Sequence, residues 1–244
     1  MVINMNTITT TTWPKIDIHS HIIYDVDDGS KNFETTKEAL KILKKNNVQK
    51  ILCTPHFSSF KNYEKIAKTF LFMKKGFKMH NIDLYLGFEF KLTYENLNIL
   101  KENRIKTINN YLLVELSRNE DISEEQIIDM IDELFDIGYK VILVHPEFYI
   151  NYRNLSFIKK LRENDVIIQI DATSILKGTK DKKVYNFAHL LLKNNLVDIV
   201  ASDYHDNIIR SYDKFEDAFN LIKKKYNINM ANELFYENPK IIVD

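Results

Sequence analysis

WPKIDIHSHIIYDVDDGSKN, residues 13–32, contains the feature that decides the fold. The apolar, β-branched run at 15–19 predicts a short strand, and this strand leads directly into His19-Ser20-His21. Side chains two positions apart on a strand point to the same side, so His19 and His21 can bind one cation together. Ligands at the carboxyl end of a strand indicate a site at one rim of a parallel sheet or barrel.

The rest of the chain alternates between apolar runs and stretches with helical spacing. Seven strand–helix units predict a parallel sheet, because parallel strands need crossover helices, and the sheet could close into a barrel or stay open. The predicted strands are 15–19, 48–54, 82–90, 111–116, 140–145, 165–172 and 197–202. The predicted helices are 33–46, 63–80, 94–103, 124–137, 154–163, 182–195 and 212–226.

Composition narrows the function classes. The chain has 244 residues, 45% hydrophobic residues and a formal net charge of zero, which argues against a nucleic-acid-binding protein. The single cysteine, Cys53, lies in an apolar run and is interpreted as a core residue.

No run approaches the ~20 apolar residues of a membrane helix, so we expect a cytoplasmic protein. We expect a flexible lead-in at 1–12 and one domain at 13–244.

Histidines and acids collect at the predicted strand ends. Five of the seven histidines lie there, whereas His80 and His189 are interpreted as structural. Buried acids on apolar strands are costly unless they are paired or bind a metal. The joint pattern therefore predicts a metal centre without thiolate, which suits Mn, Fe or Zn. Its strand-end members are His19, His21, His56, Glu89, Glu115, His145, Asp203 and His205.

These motifs resemble the PHP (polymerase and histidinol phosphatase) superfamily of metal-dependent phosphoesterases. "DIHSHI", "DVDDGSK", "TPH", "VELS", "VHPE", "NNLVDIVASDYH" and "ELFYENP" are similar to one branch, the bacterial protein tyrosine phosphatases of capsule and exopolysaccharide operons. The resemblance implies a distorted seven-stranded (β/α)7 TIM-like barrel. It also implies three divalent ions, commonly manganese, with Fe, Zn or Mg as alternatives.

The resemblance also implies the ligand set. Glu89 would bridge two ions, one beside His19, His21 and Asp203, and the other beside Glu115 and His145. Asp28, His56 and His205 would hold the third ion. Substrate phosphate would contact Arg210, and Tyr24 and Tyr149 are candidates for a slot that binds the tyrosyl ring.

One position departs from the branch. The branch reads H-P-E-R-Y, whereas this chain reads HPEFY, so Phe148 replaces a phosphate-binding arginine. Loss of one guanidinium removes a bidentate clamp on phosphoryl oxygens. We therefore expect weaker phosphate binding, unless Arg153 or Arg118 takes over the role.

The implied reaction is hydrolysis of a phosphate ester by a hydroxide that the ions activate. Arg210 would stabilise the phosphoryl charge, and Asp203 or His205 could assist proton transfer. The implied partner is a phosphotyrosine protein, namely the tail of a bacterial tyrosine kinase of capsule synthesis, with no nucleic acid and no membrane insertion. Two alternatives stay open. One is a small-molecule phosphatase of the histidinol-phosphatase type, and the other is a weakened, kinase-binding regulator that Phe148 would explain.

Overall fold

The computed structural model describes residues 13–57, 59–76, 81–117 and 122–244. The expected lead-in at 1–12, together with His80 and Arg118, lies outside these residues. Among the described residues, none of the helices combines the length and apolarity that crossing a membrane demands.

The strands are β1 (Lys15–Ser20), β2 (Val48–Cys53), β3 (Asp83–Leu86), β4 (Glu89–Leu92), β5 (Tyr111–Leu116), β6 (Lys140–Val144), β7 (Ile167–Asp171) and β8 (Ile199–Ala201).

The strands form two sheets, both parallel, as the alternation predicts. One sheet has the order β1-β2-β3 and the other β4-β5-β6-β7-β8. The described residues do not form the single continuous seven-stranded sheet of the expected barrel. The predicted strand 82–90 is interrupted at Gly87-Phe88, because the chain changes partner there: β3 pairs with β2, and β4 pairs with β5.

The two sheets approach each other at their carboxyl ends. One isolated parallel bridge joins Ser20, at the end of β1, to Tyr204, beyond β8. A second bridge joins His56, beyond β2, to Glu89 at the start of β4. Both bridges involve or adjoin the predicted ligands, so the junction between the sheets lies where the site was expected.

Among the described residues, six longer helices connect strands and a seventh follows β8, all close to the predicted ranges. Ser123 and Gln126 form the expected capping box, and the side chains of Asn32 and Asp181 cap their helices. Gly138 ends its helix in the left-handed conformation that glycine tolerates best, with φ 94°. The connecting helices are α1 (Phe33–Lys45), α2 (Phe60–Gly76), α3 (Tyr94–Glu102), α4 (Glu124–Ile137), α5 (Leu155–Glu163) and α6 (Lys182–Lys193), and the helix after β8 is α7 (Tyr212–Lys225).

The C-terminal segment was not predicted as helix. It contains α8 (Ile228–Asn232), a π-helical turn (Glu233–Glu237) and α9 (Asn238–Val243). Ile242 and Val243 pack in the apolar cluster that contains Ile16 and Ile18 of β1. The pieces are too short to show a 3.6-residue period by themselves, and their apolar residues are buried by tertiary packing.

Candidate metal centre

All nine predicted ligands meet at the carboxyl ends of the strands. They come from segments far apart in the chain, and parallel strands bring such segments together at one rim. Within the described residues, four overlapping groups of three or four ligand atoms lie within 4.8 Å of one another. The members are His19, His21, Asp28, His56, Glu89, Glu115, His145, Asp203 and His205.

Glu89 lies at the centre of the cluster and is 2% exposed. Its Oε2 atom lies 3.1 Å from His21 Nε2 and 3.4 Å from His19 Nε2. The same oxygen lies 3.1 Å from His56 Nδ1. The second oxygen, Oε1, lies 2.8 Å from His145 Nε2. Glu89 therefore faces both halves of the site, the position that the family resemblance gives to a bridging ligand.

Asp203 faces the same pair of imidazoles from β8. Its Oδ1 atom lies 3.3 Å from His19 Nε2 and 3.5 Å from His21 Nε2. These two nitrogens are themselves 3.3 Å apart, so His19 and His21 converge as expected. They do so even though His21 lies one residue beyond the end of β1. Asp203 Oδ1 is buried and accepts no hydrogen bond from the residues that the structure describes. A buried carboxylate oxygen normally accepts a hydrogen bond. A cation bound between this oxygen and the imidazole nitrogens would take the place of the missing donor.

A more exposed group lies on the outer side of the cluster. Asp28 Oδ1 lies 3.4 Å from His56 Nε2 and 3.3 Å from His205 Nε2. His21 belongs to this group as well as to the buried one. Glu115 contributes from β5, 3.9 Å from His56 Nδ1, and groups with His56 and Glu89 rather than with His145.

Asp27 holds the imidazole of His21 in place, a role that sequence reasoning missed. Its Oδ2 atom lies 2.7 Å from His21 Nδ1, which leaves Nε2 directed at Glu89. The Asp27 carboxylate also accepts the backbone N–H groups of Gly29 at 3.0 Å and His56 at 3.1 Å. A Cβ atom at Gly29 would lie 2.2 Å from the His21 carbonyl oxygen, so only glycine fits this loop. Supports of this kind fix the tautomer and orientation of ligating histidines.

Gln169 and Tyr149 hold two other imidazoles. Gln169 Oε1 lies 2.8 Å from His19 Nδ1. The Tyr149 hydroxyl lies 2.9 Å from His145 Nδ1. Tyr149 is 2% exposed and orients His145, and its contact with substrate stays a prediction. The sequence signal for Gln169 was a polar residue inside the apolar run 165–172.

Electrostatics distinguish the acids of the cluster. Burial opposes charge on His21, but hydrogen bonds to Asp27 and Glu89 raise its pKa well above the ordinary value. Burial also opposes charge on Glu89, yet the surrounding imidazoles hold its pKa well below the usual range. Burial, and then the charge of Glu89, raise the pKa of Glu115. Positive charge on His21 and negative charge on Glu89 thus stabilise each other, and divalent ions would compete with protons for the imidazole nitrogens.

Arg210 lies at the edge of the cluster. Its Nη1 atom donates to Asp203 Oδ2 at 2.6 Å. Phe148 lies beside it, with its ring 6.0 Å from Arg210 Cζ and 5.7 Å from the His145 ring. Arg153 donates to the Glu147 carbonyl at 2.8 Å and lies 3.5 Å from Asp181, so it supports this loop.

Tyr24 is half-buried and packs edge-on against Phe33, with 5.9 Å between ring centroids. Its contact with substrate stays a prediction. Cys53 is fully buried, and burial raises the pKa of its thiol, which agrees with its interpretation as a core residue. His189 Nδ1 accepts from Lys225 Nζ at 3.1 Å, a contact between helices α6 and α7.

Comparison with known proteins identifies the family. The capsular polysaccharide synthesis family CpsB/CapC matches residues 15–244. The tyrosine-protein phosphatase CpsB of Streptococcus pneumoniae is 34% identical over 94% of this chain and 98% of its own length. The chain belongs to the CpsB/CapC family. A second CpsB/CapC relative, the tyrosine-protein phosphatase CpsB of Streptococcus agalactiae serotype III, is 30% identical over 93% of this chain and 98% of its own.

Solved structures support the fold of this CpsB/CapC member. One comes from work on YwqE of Bacillus subtilis and CpsB of Streptococcus pneumoniae, described as metal-dependent tyrosine phosphatases. It matches with a TM-score of 0.74 and 23% identity, over 93% of this chain and 94% of its own. The histidinol phosphate phosphatase of Lactococcus lactis matches with a TM-score of 0.56 and 14% identity, over 92% of this chain and 97% of its own. At these identities the likeness concerns the fold alone.

Proposed function

We propose that this protein is a metal-dependent phosphomonoesterase that removes phosphate from tyrosine side chains of a protein. The observation that carries the proposal is the cluster around Glu89, where nine imidazole and carboxylate ligands from separate strands converge. Membership of the CpsB/CapC family, whose relatives carry the name tyrosine-protein phosphatase, supports the substrate class.

The residues fit a group of divalent ions. The donors are imidazole nitrogens and carboxylate oxygens, which suit manganese, iron or zinc, and Asp203 Oδ1 is buried among them without a hydrogen bond. Glu89, His19, His21 and Asp203 would hold one ion. The others would be held by Glu115, His145, Asp28, His56 and His205. When bound, such ions neutralise phosphoryl charge and lower the pKa of water toward neutrality.

Arg210 supplies the organic cation of the site. Asp203 engages its Nη1 atom and thereby orients the guanidinium at the edge of the cluster. The remaining N–H donors can bind phosphoryl oxygens, where negative charge develops during transfer. A tyrosyl leaving group has a pKa of ~10 and needs little protonation, so we assign no general acid to Asp203 or His205.

We further infer that the two sheets are parts of one distorted barrel, with residues 13–244 as a single domain. The bridges Ser20–Tyr204 and His56–Glu89 support this inference, because each joins an end of one sheet to the other. We propose the phosphorylated tail of a cytoplasmic tyrosine kinase of capsule or exopolysaccharide synthesis as the substrate. The family's description as capsular polysaccharide synthesis proteins supports this setting.

Phosphatase assays on purified protein test the function. We expect release of phosphate from a phosphotyrosine peptide in the presence of manganese, loss of activity with chelator, and recovery when manganese is restored. Histidinol phosphate, assayed in parallel, tests the small-molecule alternative. Chelator-resistant activity, or no phosphomonoesterase activity at millimolar manganese, contradicts the proposal.

Phe148 favours a second candidate, a kinase-binding regulator with weakened catalysis. Its ring lies beside His145 and Arg210, where the branch that the chain resembles has a second phosphate-binding guanidinium. A regulator of this kind would bind the kinase tail tightly and turn it over slowly. Comparing the dissociation constant with kcat on the same peptide separates the two candidates.

A further inference from the structure

A cleft of about 510 Å³ opens beside the metal centre. Arg210 and Phe148 form part of its wall, so the cleft is continuous with the edge of the cluster. Leu176, Ile208 and Ile209 add apolar surface. The volume is typical of sites that bind small ligands or individual side chains of a partner.

The apolar part of the wall is presented by a fixed turn. Ile208 is 80% exposed and Ile209 is 68% exposed. The backbone N–H groups of both residues donate to Asp206 Oδ1, at 2.6 Å and 2.5 Å. Two adjacent isoleucines held at the surface in this way offer apolar area that a partner can bury with little loss of backbone entropy.

The rim of the cleft is basic, although the chain as a whole is neutral. Lys177 and Lys180 line it, are exposed, and form no ion pair with the described residues. Lys214 also lines it and pairs with Asp217 at 3.4 Å. Asp181 carries the sole carboxylate of the described lining, and it is engaged as a helix cap, accepting the Lys183 N–H at 2.7 Å.

The loop that carries these lysines is held in shape. Thr179 Oγ1 donates toward the carbonyl oxygens of Thr173 at 2.7 Å and Leu176 at 2.9 Å. Gly178 has φ 107°, in the left-handed region that favours glycine. The backbone that carries Lys177 and Lys180 is therefore held beside Arg210, which keeps both positive charges near the cleft.

We propose that this cleft binds the polypeptide segment that flanks the phosphotyrosine, with apolar side chains against Ile208 and Ile209 and acidic side chains near Lys177 and Lys180. The inference rests on the proposed function and deepens it by naming the preferred sequence context. Charge complementarity favours a substrate with carboxylates beside the phosphorylated residue. Basic flanking residues would meet like charges and bind more weakly.

Binding measurements with two peptides test the proposal. Both peptides contain a non-hydrolysable phosphonate analogue of phosphotyrosine, and both have a leucine at the same position. In one peptide glutamates flank the analogue, and in the other lysines flank it. At low salt we expect the protein to bind the acidic peptide about tenfold more tightly, by fluorescence anisotropy. In the double variant K177E/K180E this ratio should fall to one or invert.

The double variant K223E/K224E is the matched control. It changes charge equally, but at the last turn of α7, whereas Lys214 lies in the first turn of that helix. It should keep the native ratio. A ratio unaffected by K177E/K180E, or changed equally in the control, overturns the proposal.

A second variant, I208S/I209S, tests the apolar wall. Both side chains are exposed, so folding should be maintained. We expect weaker binding of both peptides by a similar factor, and unchanged affinity contradicts the apolar contact.

Hydrolysis of p-nitrophenyl phosphate by the native protein separates the two claims. Without hydrolysis the proposed function fails, while the peptide ratio still decides the cleft. With hydrolysis but equal affinity for both peptides, the function stands and the cleft proposal fails.

Discussion

The two ends of β1 bury charge in opposite ways. At the amino end, Lys15 is fully buried, yet its ammonium group lies 2.8 Å from the Trp13 carbonyl and 3.0 Å from Glu216. The Phe219 ring adds a cation–π contact at 4.6 Å. At the carboxyl end, His19 and His21 direct their nitrogens at each other and at Asp203 Oδ1, an oxygen that accepts no hydrogen bond within the described ranges.

This difference separates a structural charge from a functional one. Buried charges persist when they are paired or coordinate metals. Lys15 is paired within the chain, with Glu216 and the Trp13 carbonyl, so its contribution is to stability. The cluster at the other end has donors and acceptors arranged for cations from solution, so its contribution is to chemistry.

The largest expected effect is loss of catalysis in Glu89→Gln. The substitution keeps the shape of the central side chain but removes its charge, and we expect kcat to fall by more than about 100-fold because ion binding is lost. Steady-state kinetics with metal analysis measure both changes. Glu102→Gln, at the exposed end of α3, should retain native activity. A Glu89→Gln protein with native turnover would exclude Glu89 from the site.

Asp27→Asn should weaken metal binding by about 10–100-fold, since ligand-supporting residues contribute effects of this size. The variant removes the negative charge that holds His21 Nδ1. Manganese titration monitored by activity measures the change. Asp25→Asn is the control two residues away, because within the described part of the chain the Asp25 carboxylate pairs with exposed Lys65 alone, at 3.1 Å. Equal affinities in the two variants would show that Asp27 does not support the site.

Lys15→Met should destabilise the protein by about 1–3 kcal/mol without reducing kcat, because Glu216 and the Trp13 carbonyl lose their buried donor. Urea unfolding gives the stability, and activity at native temperature gives kcat. Lys37→Met removes an exposed pair with Glu34 and should change stability by no more than about 0.5 kcal/mol. Loss of activity in folded Lys15→Met would undermine the separation between the two ends of β1.

Phe148→Arg has the smallest expected effect. A second guanidinium beside Arg210 should raise kcat/KM on phosphotyrosine peptide by about tenfold, through added charge-assisted hydrogen bonds to phosphate. Competitive inhibition by inorganic phosphate should strengthen by a similar factor. Phe148→Leu should reproduce neither change. If Phe148→Arg is no faster than native protein, the phenylalanine does not limit phosphate binding.

Much of the fold follows from local patterns, and the exceptions have physical causes. Apolar periodicity and caps such as Ser123 located the strands and connecting helices. The interruption at Gly87-Phe88 reflects a change of strand partner, which is a tertiary event. The C-terminal helices are short and depend on packing against β1, so their own sequence carries little signal.

The residues of the candidate site also fall into those that the sequence revealed and those that it did not. Histidines and acids at strand ends were visible because parallel strands align their carboxyl ends. The supporting role of Gln169 was not visible, since it holds His19 across 150 positions of sequence. Asp27 lies only six positions from His21, but their contact depends on how the loop after β1 folds. The hydrogen bond of Tyr149 to His145 was not visible either, because it depends on the turn after β6.

The most direct test of the central claim is the location of bound cations. Crystals grown with manganese should give anomalous scattering peaks among His19, His21, Glu89 and Asp203, about 2.0–2.6 Å from nitrogen and oxygen ligands. The account predicts such peaks together with metal-dependent activity. Ordered water alone in this cluster, in manganese-replete crystals of a protein whose phosphatase activity resists chelators, would contradict it.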